Sequence, residues 1–252
     1  MIRFDEMTTE QATAAASGST PIVLLLPVGA IEPHGPHAAL ATDVILASAI
    51  CERTATALEG DESLRALVLP ALPYGVTRCA AAFAGAVGID AEALRAVVVG
   101  ICRSLREQGF RRVAIVNHHF EPAHVAALRQ AVEELGGEGA GTGLLDLTRR
   151  RLAQRLTEEF RRGSCHAGSY ETSLLLAQRP DLVDRRRARA LAPLDVDMPG
   201  ELAAGRDDFE SMGMSEAYCG APADASVAEG EASYETLIEM AIELVRRLVA
   251  AS

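Results

Sequence analysis

The sequence predicts an α/β fold: a single layered domain in which a mostly parallel sheet is flanked by helices. Two observations carry this prediction. Short apolar runs that stop at Pro or Gly alternate along the chain with segments of helical periodicity, as in parallel α/β proteins. The 252 residues suit one such domain, and the 49% that are hydrophobic are enough for a full core.

Four buried strands are expected, because four short runs are apolar throughout and end in turn or polar residues. A strand that is covered on both faces has this continuous apolar pattern rather than an alternating one. The four runs are residues 21–29 (PIVLLLPVG), 64–75 (LRALVLPALPYG), 111–119 (RRVAIVNHH) and 141–147 (GTGLLDL).

Five helices are expected between and after these strands. We predict that Thr42 or Asp43 caps the first helix, that Asp90 caps the second and Gly109 closes it, and that Pro122 lies in the first turn of the third. The fourth is short and buried, and the last is amphipathic. Their predicted ranges are 42–58, 90–110, 121–137, 171–178 and 231–250.

One domain is expected to span 1–252, with a long irregular excursion at about 184–229. This stretch opens with RRRAR and continues with Pro, Gly, Asp and three Met without a clear period. Two interpretations stay open: a plain surface excursion, or a lid or subunit contact, since long irregular loops in compact domains are often functional.

Composition excludes several classes of function. The net charge of −11 argues against nucleic acid and anionic membranes as partners. Five scattered cysteines without a CxxC pair, together with no leader-like or membrane-spanning run, predict a cytoplasmic protein. All 24 basic residues are Arg, so neither a Schiff-base lysine nor a Walker A lysine exists.

Two motifs place polar side chains directly after predicted strands. VGAIEPHGPHAALATD contains Glu32, His34 and Asp43, and VNHHFEP contains His119 and Glu121. Because ligands gather at the carboxyl ends of parallel strands, we expect the two motifs to converge in space. Imidazole beside carboxylate, twice, with Asp43 as a shared bridge, predicts two divalent ions, Zn or Mn, with positions open for water.

The same stretches resemble motifs of the creatininase (creatinine amidohydrolase) family. LPVGAIEPHGPHAALATD is similar to its E-x-H-G-P-H motif, VNHHFEP to its N-G-H motif and HAGSYETSLLLAQRPDLV to its third motif. GAPADASVAEGE is similar to its approach to the final helix, so the resemblance covers nearly the whole chain in order. It implies a layered α/β domain with a binuclear metal site, often assembled as a hexamer.

The resemblance also implies a ligand set. Glu32, Asp43 and His119 would hold one metal ion. His34, Asp43 and Glu121 would hold the other, with Asp43 bridging the two. Such ions would lower the pKa of a bridging water, which would then attack an amide carbonyl.

Catalytic roles follow from the third motif. By resemblance His166 is the catalytic histidine, and its ordinary pKa suits a proton carrier. Glu171 would orient His166 or the attacking water. Alternatively, its carboxylate would only interact favourably with the dipole at a helix N-terminus. His37 is expected to fix its loop, and His124 to lie behind the site or on the surface. Cys165, beside His166, leaves a thiol nucleophile open as the lesser alternative.

The chain departs from the family pattern around the expected pocket. His118 stands where the family usually has Gly, and Cys165 where creatininase has Glu. Cys79, Ala80 and Ala86 stand where relatives have a Glu-His pair and a Thr. The chain also has no Trp, which argues against creatinine as the substrate. Altered specificity or loss of activity would follow from these replacements.

Three functions are therefore weighed. The first is a metal-dependent amidohydrolase that hydrolyses a C–N amide bond in a small substrate such as a cyclic amide or formamide. The second is a peptidase that trims a small precursor peptide. The third is a non-catalytic metal-containing binding or assembly subunit. A small-molecule substrate and a homo-oligomer are the expected partners.

Overall fold

A parallel four-stranded sheet forms the centre of the molecule. The structure, a computed structural model, describes residues 3–251. The strands are β1 (Ile22–Val28), β2 (Arg65–Val68), β3 (Arg112–Asn117) and β4 (Thr142–Leu145). Their order across the sheet is β2-β1-β3-β4, and all neighbouring pairs are parallel. The fold class predicted from the sequence is confirmed.

Helices cover both faces of this sheet. Within the described residues they are α1 (Thr9–Ser17), α2 (Thr42–Ala57), α3 (Ala91–Glu107), α4 (Pro122–Glu134), α5 (Arg150–Ala153), α6 (Glu158–Arg162), α7 (Ser169–Gln178), α8 (Arg185–Ala190), α9 (Met198–Ala203) and α10 (Val227–Ala250). Short 3-10 turns lie at Glu138–Ala140, Pro180–Leu182 and Pro222–Asp224. None of the helices within 3–251 combines the length and apolar character that crossing a membrane requires.

The core has one half on each side of the sheet. Side chains of a strand alternate between faces, so Val23 and Leu25 of β1 pack with α2, α7 and α10. Leu24 and Leu26 point the other way and pack with α3 and α4. Because both faces are covered, β1 is buried at every position, which explains its continuous apolar sequence.

The structure confirms some of the helix ends predicted from the sequence. Pro122 is the first residue of α4, and Gly109 follows α3 with φ +98°. Asp90 is at the N-cap of α3 but makes no side-chain cap bond. The predicted cap of α2 is wrong: Ala41 occupies that position, and Thr42 and Asp43 lie inside the helix. The Asp43 carboxylate turns toward a histidine instead of its own helix.

Local caps start helices that the apolar pattern does not predict. In α1 the side chains of Thr8 and Gln11 form a capping box, but none of its residues is buried, so it has no apolar stripe. The segment 184–229, expected to be irregular, contains α8 and α9. Their N-cap residues Asp184 and Asp197 accept backbone N–H bonds, and such caps can initiate helices of six residues, which are too short to show a clear apolar periodicity.

The topology brings the two predicted motifs together. β1 and β3 are neighbours, and Val28 pairs with Asn117 at their carboxyl ends. The His118 N–H donates to the Val28 carbonyl at 3.2 Å, so the loops after the two strands begin side by side. The predicted convergence of the two motifs is confirmed.

Candidate metal centre

The loops after β1 and β3, together with the first turns of α2 and α7, enclose a buried cluster of acids and imidazoles. Glu32 and His34 come from the loop after β1, and Asp43 from the first turn of α2. His119 follows β3, and Glu171 lies in the first turn of α7. All five side chains are nearly fully buried, which is exceptional for acids without a cationic partner.

The first donor group consists of Glu32, Asp43 and His119. His119 Nδ1 lies 3.0 Å from Asp43 Oδ2 and 3.2 Å from Glu32 Oε1. One ligand atom from each residue lies within 4.8 Å of the other two. This is the first ligand set that the family resemblance implies.

The second donor group also uses Asp43. His34 Nε2 lies 3.1 Å from Asp43 Oδ1 and 3.6 Å from Glu171 Oε2. Asp43 therefore presents one oxygen to each group. The resemblance implies Glu121 as the third member here, whereas the structure has Glu171 in that place.

Backbone carbonyls fix the histidine tautomers so that the lone pairs face the acids. His34 Nδ1–H donates to the Glu32 carbonyl at 3.0 Å, and His119 Nε2–H donates to the Val76 carbonyl at 2.7 Å. The opposite nitrogen of each neutral ring therefore presents an acceptor to carboxylate oxygens. Metal-ligating histidines are oriented by carbonyls in this way.

The donor set fits divalent ions. Asp43 Oδ2 is buried and makes no hydrogen bond to any of the described residues. Two imidazoles and three carboxyl groups face one another, and their unshared electron pairs repel unless a cation or a proton lies between them. No lysine exists in the chain to supply that charge.

Burial and the charges within the cluster shift the pKa values of its own groups. Burial opposes the charged form of His34, but the Asp43 carboxylate outweighs burial and raises the pKa of His34 to about 10. Burial also opposes the charged form of His119, but the Glu32 and Asp43 carboxylates together outweigh it and raise the pKa of His119. Burial raises the pKa of Glu171 to about 8, and the nearby Asp43 charge contributes. The cluster thus holds protons where a metal centre would hold ions.

His166 lies at the edge of the cluster. Its Nε2–H donates to the Pro33 carbonyl at 3.0 Å, which leaves Nδ1 facing Glu32 Oε1 at 3.7 Å. Burial, with the positive charge of His34, lowers the pKa of His166 to about 4. His166 is therefore neutral near pH 7 and has a free acceptor nitrogen. Glu32, His34 and His166 also form a third group of donors within 4.8 Å of one another.

Glu121 is not part of these three donor groups, which were sought among residues 3–251. Its Oε2 accepts backbone N–H bonds from Arg78 at 2.6 Å and from Cys79 at 3.1 Å. The loop before α3 thus holds the carboxylate on the wall of the pocket. Burial raises the pKa of Glu121.

The other predicted polar residues surround the cluster. His37 Nε2 lies 2.9 Å from Thr172 Oγ1, which joins the first motif to α7. His124 is buried rather than on the surface, and its ring nitrogens contact Asn117 Oδ1 and the Val76 N–H. His118 is fully buried behind Glu171, with its Nδ1 3.7 Å from Glu171 Oε1.

Two residues that hold members of the cluster in place are not predicted from the sequence. Thr77 Oγ1 donates to Glu32 Oε2 at 2.8 Å, so a threonine hydroxyl supports this acid. The Asn117 side chain bonds both the N–H and the carbonyl of His119 and so fixes the turn that aims its ring. Asn117 is visible in the motif VNHHFEP as a turn-forming residue, but no pattern points to Thr77.

A cavity of ≈ 60 Å³ borders the cluster. The segment 184–229 closes it with Met198, Leu202 and Phe209, and the Phe209 ring lies 4.5 Å from the His166 ring. Cys79 and Cys165 also line it, and burial raises the pKa of both thiols. A thiol nucleophile at Cys165 is therefore disfavoured, because the reactive form is the thiolate.

Ala80 and Ala86, which replace polar residues of the family pattern, pack under the same cover. Both belong to a small apolar cluster with Phe209, Met212 and Met214. An apolar wall thus lies at the positions where the family resemblance implies polar groups.

Comparison with known proteins agrees with the fold and the motifs. The family model for creatininase, creatinine amidohydrolase, matches residues 5–245. A mycofactocin precursor peptide peptidase of Mycobacterium tuberculosis (strain CDC 1551 / Oshkosh) is 33% identical over 243 residues, 94% of this chain and 89% of that protein. A creatinine amidohydrolase of Pseudomonas putida is 35% identical over 181 residues, 66% of this chain and 67% of that protein.

Comparison with solved structures also shows similarity to creatininase. A structure described as "Creatininase Mn" has a TM-score of 0.73 to this chain at 28% identity, and the match covers 97% of both chains. The family match extends over nearly the whole chain and includes all three motifs. This chain is a member of the creatininase family of amidohydrolases.

Proposed function

We propose that this chain is a binuclear metal-dependent amidohydrolase that hydrolyses the C–N bond of a small amide. The observation that supports this most is the pair of donor groups that share Asp43. Each group combines one imidazole nitrogen with two carboxylate oxygens, a set that suits Zn²⁺ or Mn²⁺. Three protein donors leave positions open for water and substrate, as catalytic sites do.

In this proposal Glu32, Asp43 and His119 hold one ion, and His34, Asp43 and Glu171 hold the other. Glu171 replaces Glu121 in the second set because its Oε2 lies 3.6 Å from His34 Nε2. Glu121 instead keeps two backbone N–H bonds that a move toward the ions would break.

A matched pair of substitutions tests this assignment. Glu171→Gln should lower the bound Zn²⁺ from two equivalents to one, because an amide is a weak ligand. Glu121→Gln should keep two equivalents. Metal analysis after gel filtration gives both numbers, and the reverse result would restore Glu121 as the ligand.

The ions would lower the pKa of a coordinated water and polarise the carbonyl oxygen of an amide. The chain's own contribution is proton transfer at His166. Its Nε2–H is fixed on the Pro33 carbonyl, and its neutral Nδ1 is free to accept a proton. From there the proton can pass to the leaving nitrogen, as in general acid–base catalysis.

The cover over the cavity limits the substrate. A cavity of ≈ 60 Å³ has room for only a few water molecules. The part of a substrate that enters it must therefore be small. Met198, Leu202 and Phe209 form an apolar wall that excludes water and charged groups from the reacting bond. These features favour a small, uncharged amide or formamide.

Trimming of a precursor peptide is the second candidate. It is favoured by the similarity to the mycofactocin precursor peptide peptidase, which covers 94% of this chain. The scissile bond is also an amide, so the same residues would serve. A peptide needs more room than the closed cavity offers, so the cover formed by Met198, Leu202 and Phe209 would have to move.

A substrate panel separates the two candidates. Mn²⁺-loaded protein is assayed against lactams and formamides and, in parallel, against short peptides with free and blocked ends. Turnover of the small amides alone supports the first candidate, and turnover of peptides alone supports the second. Two tightly bound ions with no turnover on either set would favour the metal-containing binding subunit.

We also propose that the protein is a cytoplasmic homo-oligomer. All five cysteines are free in the structure, which suits a reducing compartment. Leu40, Tyr74, Val87 and Val97 are large apolar residues left exposed on the single chain, as surfaces that pair with other copies are. Light scattering in solution should give a mass that is a multiple of 26.6 kDa, with the hexamer of the family resemblance as the expected state.

A further inference from the structure

His118 lies behind the metal centre, and neither proposed ligand set uses it. Its side chain has no exposed surface. Its Nε2 lies 3.3 Å from the Tyr170 hydroxyl, and its Nδ1 lies 3.7 Å from Glu171 Oε1. Nδ1 makes no hydrogen bond to any residue within 3–251. A buried nitrogen aimed at a carboxylate without bonding it costs free energy unless another state of the site uses it.

The surrounding rings hold His118 in this orientation. Its ring is stacked on Tyr170, with centroids 5.7 Å apart and planes at 17°. Phe120 lies against it at 5.0 Å. Tyr170 is itself packed against Phe160 at 5.0 Å. The direction of Nδ1 is therefore fixed by packing and does not depend on a flexible side chain.

Electrostatics selects the tautomer. With the proton on Nε2, the Nδ1 lone pair would face an oxygen of Glu171, which is repulsive when that carboxylate is ionised, as metal binding requires. With the proton on Nδ1, that N–H points at Glu171 Oε1, and Nε2 accepts the Tyr170 O–H. Burial raises the pKa of Tyr170, so its hydroxyl stays protonated and can donate. The second tautomer satisfies all three groups.

The two oxygens of Glu171 have different surroundings. Oε2 accepts the Ala167 N–H at 2.8 Å and faces His34 Nε2 at 3.6 Å. Oε1 faces His118 Nδ1 at 3.7 Å, a distance slightly longer than a hydrogen bond. A small rotation of the carboxylate closes that gap.

We propose that His118 is a positioning residue that orients the Glu171 carboxylate for metal binding, with Tyr170 fixing its tautomer. The inference rests on the proposed function, in which Glu171 is a ligand of the second ion. Residues behind the ligands commonly tune metal affinity in this way.

The test is a titration of the metal-stripped full-length chain with Zn²⁺ in competition with a chromophoric chelator. His118→Phe keeps an aromatic ring in the stack but removes the N–H. His118→Asn places an amide N–H near the position of Nδ1. His118→Phe should weaken the second Zn²⁺ site by about 10–100-fold, and Tyr170→Phe by less. His118→Asn should recover most of the wild-type affinity.

A role in packing alone gives the opposite order, with His118→Phe close to wild type and His118→Asn impaired. That order overturns the inference, and so does unchanged second-site affinity in His118→Phe. If His118→Phe fails to fold, Tyr170→Phe decides, since unchanged affinity there also overturns it. Tyr234→Phe is the matched control, because the Tyr234 hydroxyl is buried without a partner among the described residues.

The wild-type titration separates this inference from the function on which it rests. Fewer than two Zn²⁺ equivalents in the wild-type chain overturn the proposed function and the inference with it. Two equivalents, with no loss in His118→Phe, overturn the inference alone.

Discussion

Loading the metal-free protein with Mn²⁺ should release protons into the solution. The pKa of His34 is raised to about 10 by Asp43, and that of Glu171 is raised to about 8 by burial. The pKa of His119 is raised by Glu32. At neutral pH the metal-free protein therefore has a second ring proton on His34 and on His119 and a carboxyl proton on Glu171. An ion binds only the deprotonated forms, so each proton must leave.

The structure sets the size of this effect. At pH 7 a group with a pKa of about 10 is almost fully protonated, and one with a pKa of about 8 is about nine-tenths protonated. With one proton each from His34, His119 and Glu171, two ions should displace about three protons per chain. Above pH 8 Glu171 is already ionised, so the number should fall toward about two.

The sign of the pH dependence follows from the same pKa shifts. Since the pKa of His34 is raised to about 10, that of Glu171 to about 8, and that of His119 is also raised, protons compete with the ions at neutral pH. The apparent affinity for Mn²⁺ should therefore increase as the pH rises from 6 to 8 and should level off only once His34 is deprotonated, near pH 10.

Isothermal titration calorimetry in buffers of different ionisation enthalpy measures the released protons directly. The dependence of the observed heat on the buffer gives the number of protons. Glu171→Gln is the matched variant and should release about two protons fewer, because its amide does not titrate and the loss of the second ion leaves the proton of His34 in place. Heat that is independent of the buffer at pH 7 would refute the account of the cluster.

Four further predictions concern single positions. Asp43→Asn should abolish binding of both ions and turnover, as measured by metal analysis and assay, since Asp43 contributes one oxygen to each group. His166→Asn should lower kcat by about 10²–10⁴-fold while two ions remain bound, and loss of the ions would instead make His166 a ligand. Gly230→Ala should destabilise the fold by about 1–3 kcal/mol, because its Cβ would lie 2.1 Å from the Ser173 carbonyl oxygen. Gly100→Ala, which meets no atom within 4 Å, should instead stabilise α3 by about 0.5–1 kcal/mol in thermal melts.

The sheet and its main helices can be predicted from the sequence because buried elements have a recognisable pattern of apolar residues. β1 is buried at all seven positions, and its run of apolar residues stands out between Pro21 and Gly29. α1 could not be found in this way, since its residues are not buried and its capping box is a polar signal. The apolar pattern therefore predicts the buried elements and misses those that depend on caps.

The convergence of the two motifs also follows from the sequence, because parallel strands put their carboxyl ends on one edge. The choice between Glu121 and Glu171 does not. It depends on side-chain direction: Arg78 and Cys79 present N–H groups to Glu121, whereas the Ala167 N–H turns Glu171 toward His34. The two bonds to Glu121 join residues 43 and 42 positions apart in the sequence, so no local spacing encodes them.

The residues that cover the cavity cannot be predicted from the sequence either, because their contacts also join remote segments. Met198, Leu202 and Phe209 lie in a segment without periodicity, and only the tertiary structure shows that they close over His166. The same segment is held by long-range backbone bonds such as that from the Phe209 N–H to the Cys79 carbonyl at 2.9 Å.

Anomalous diffraction from crystals grown with Mn²⁺ tests the central claim most directly. Two peaks about 3.5–4 Å apart are expected, the separation typical of binuclear sites, with the Asp43 carboxylate between them. His119 and Glu32 should contact one peak, and His34 and Glu171 the other. A single peak, or peaks remote from Asp43, would contradict the account.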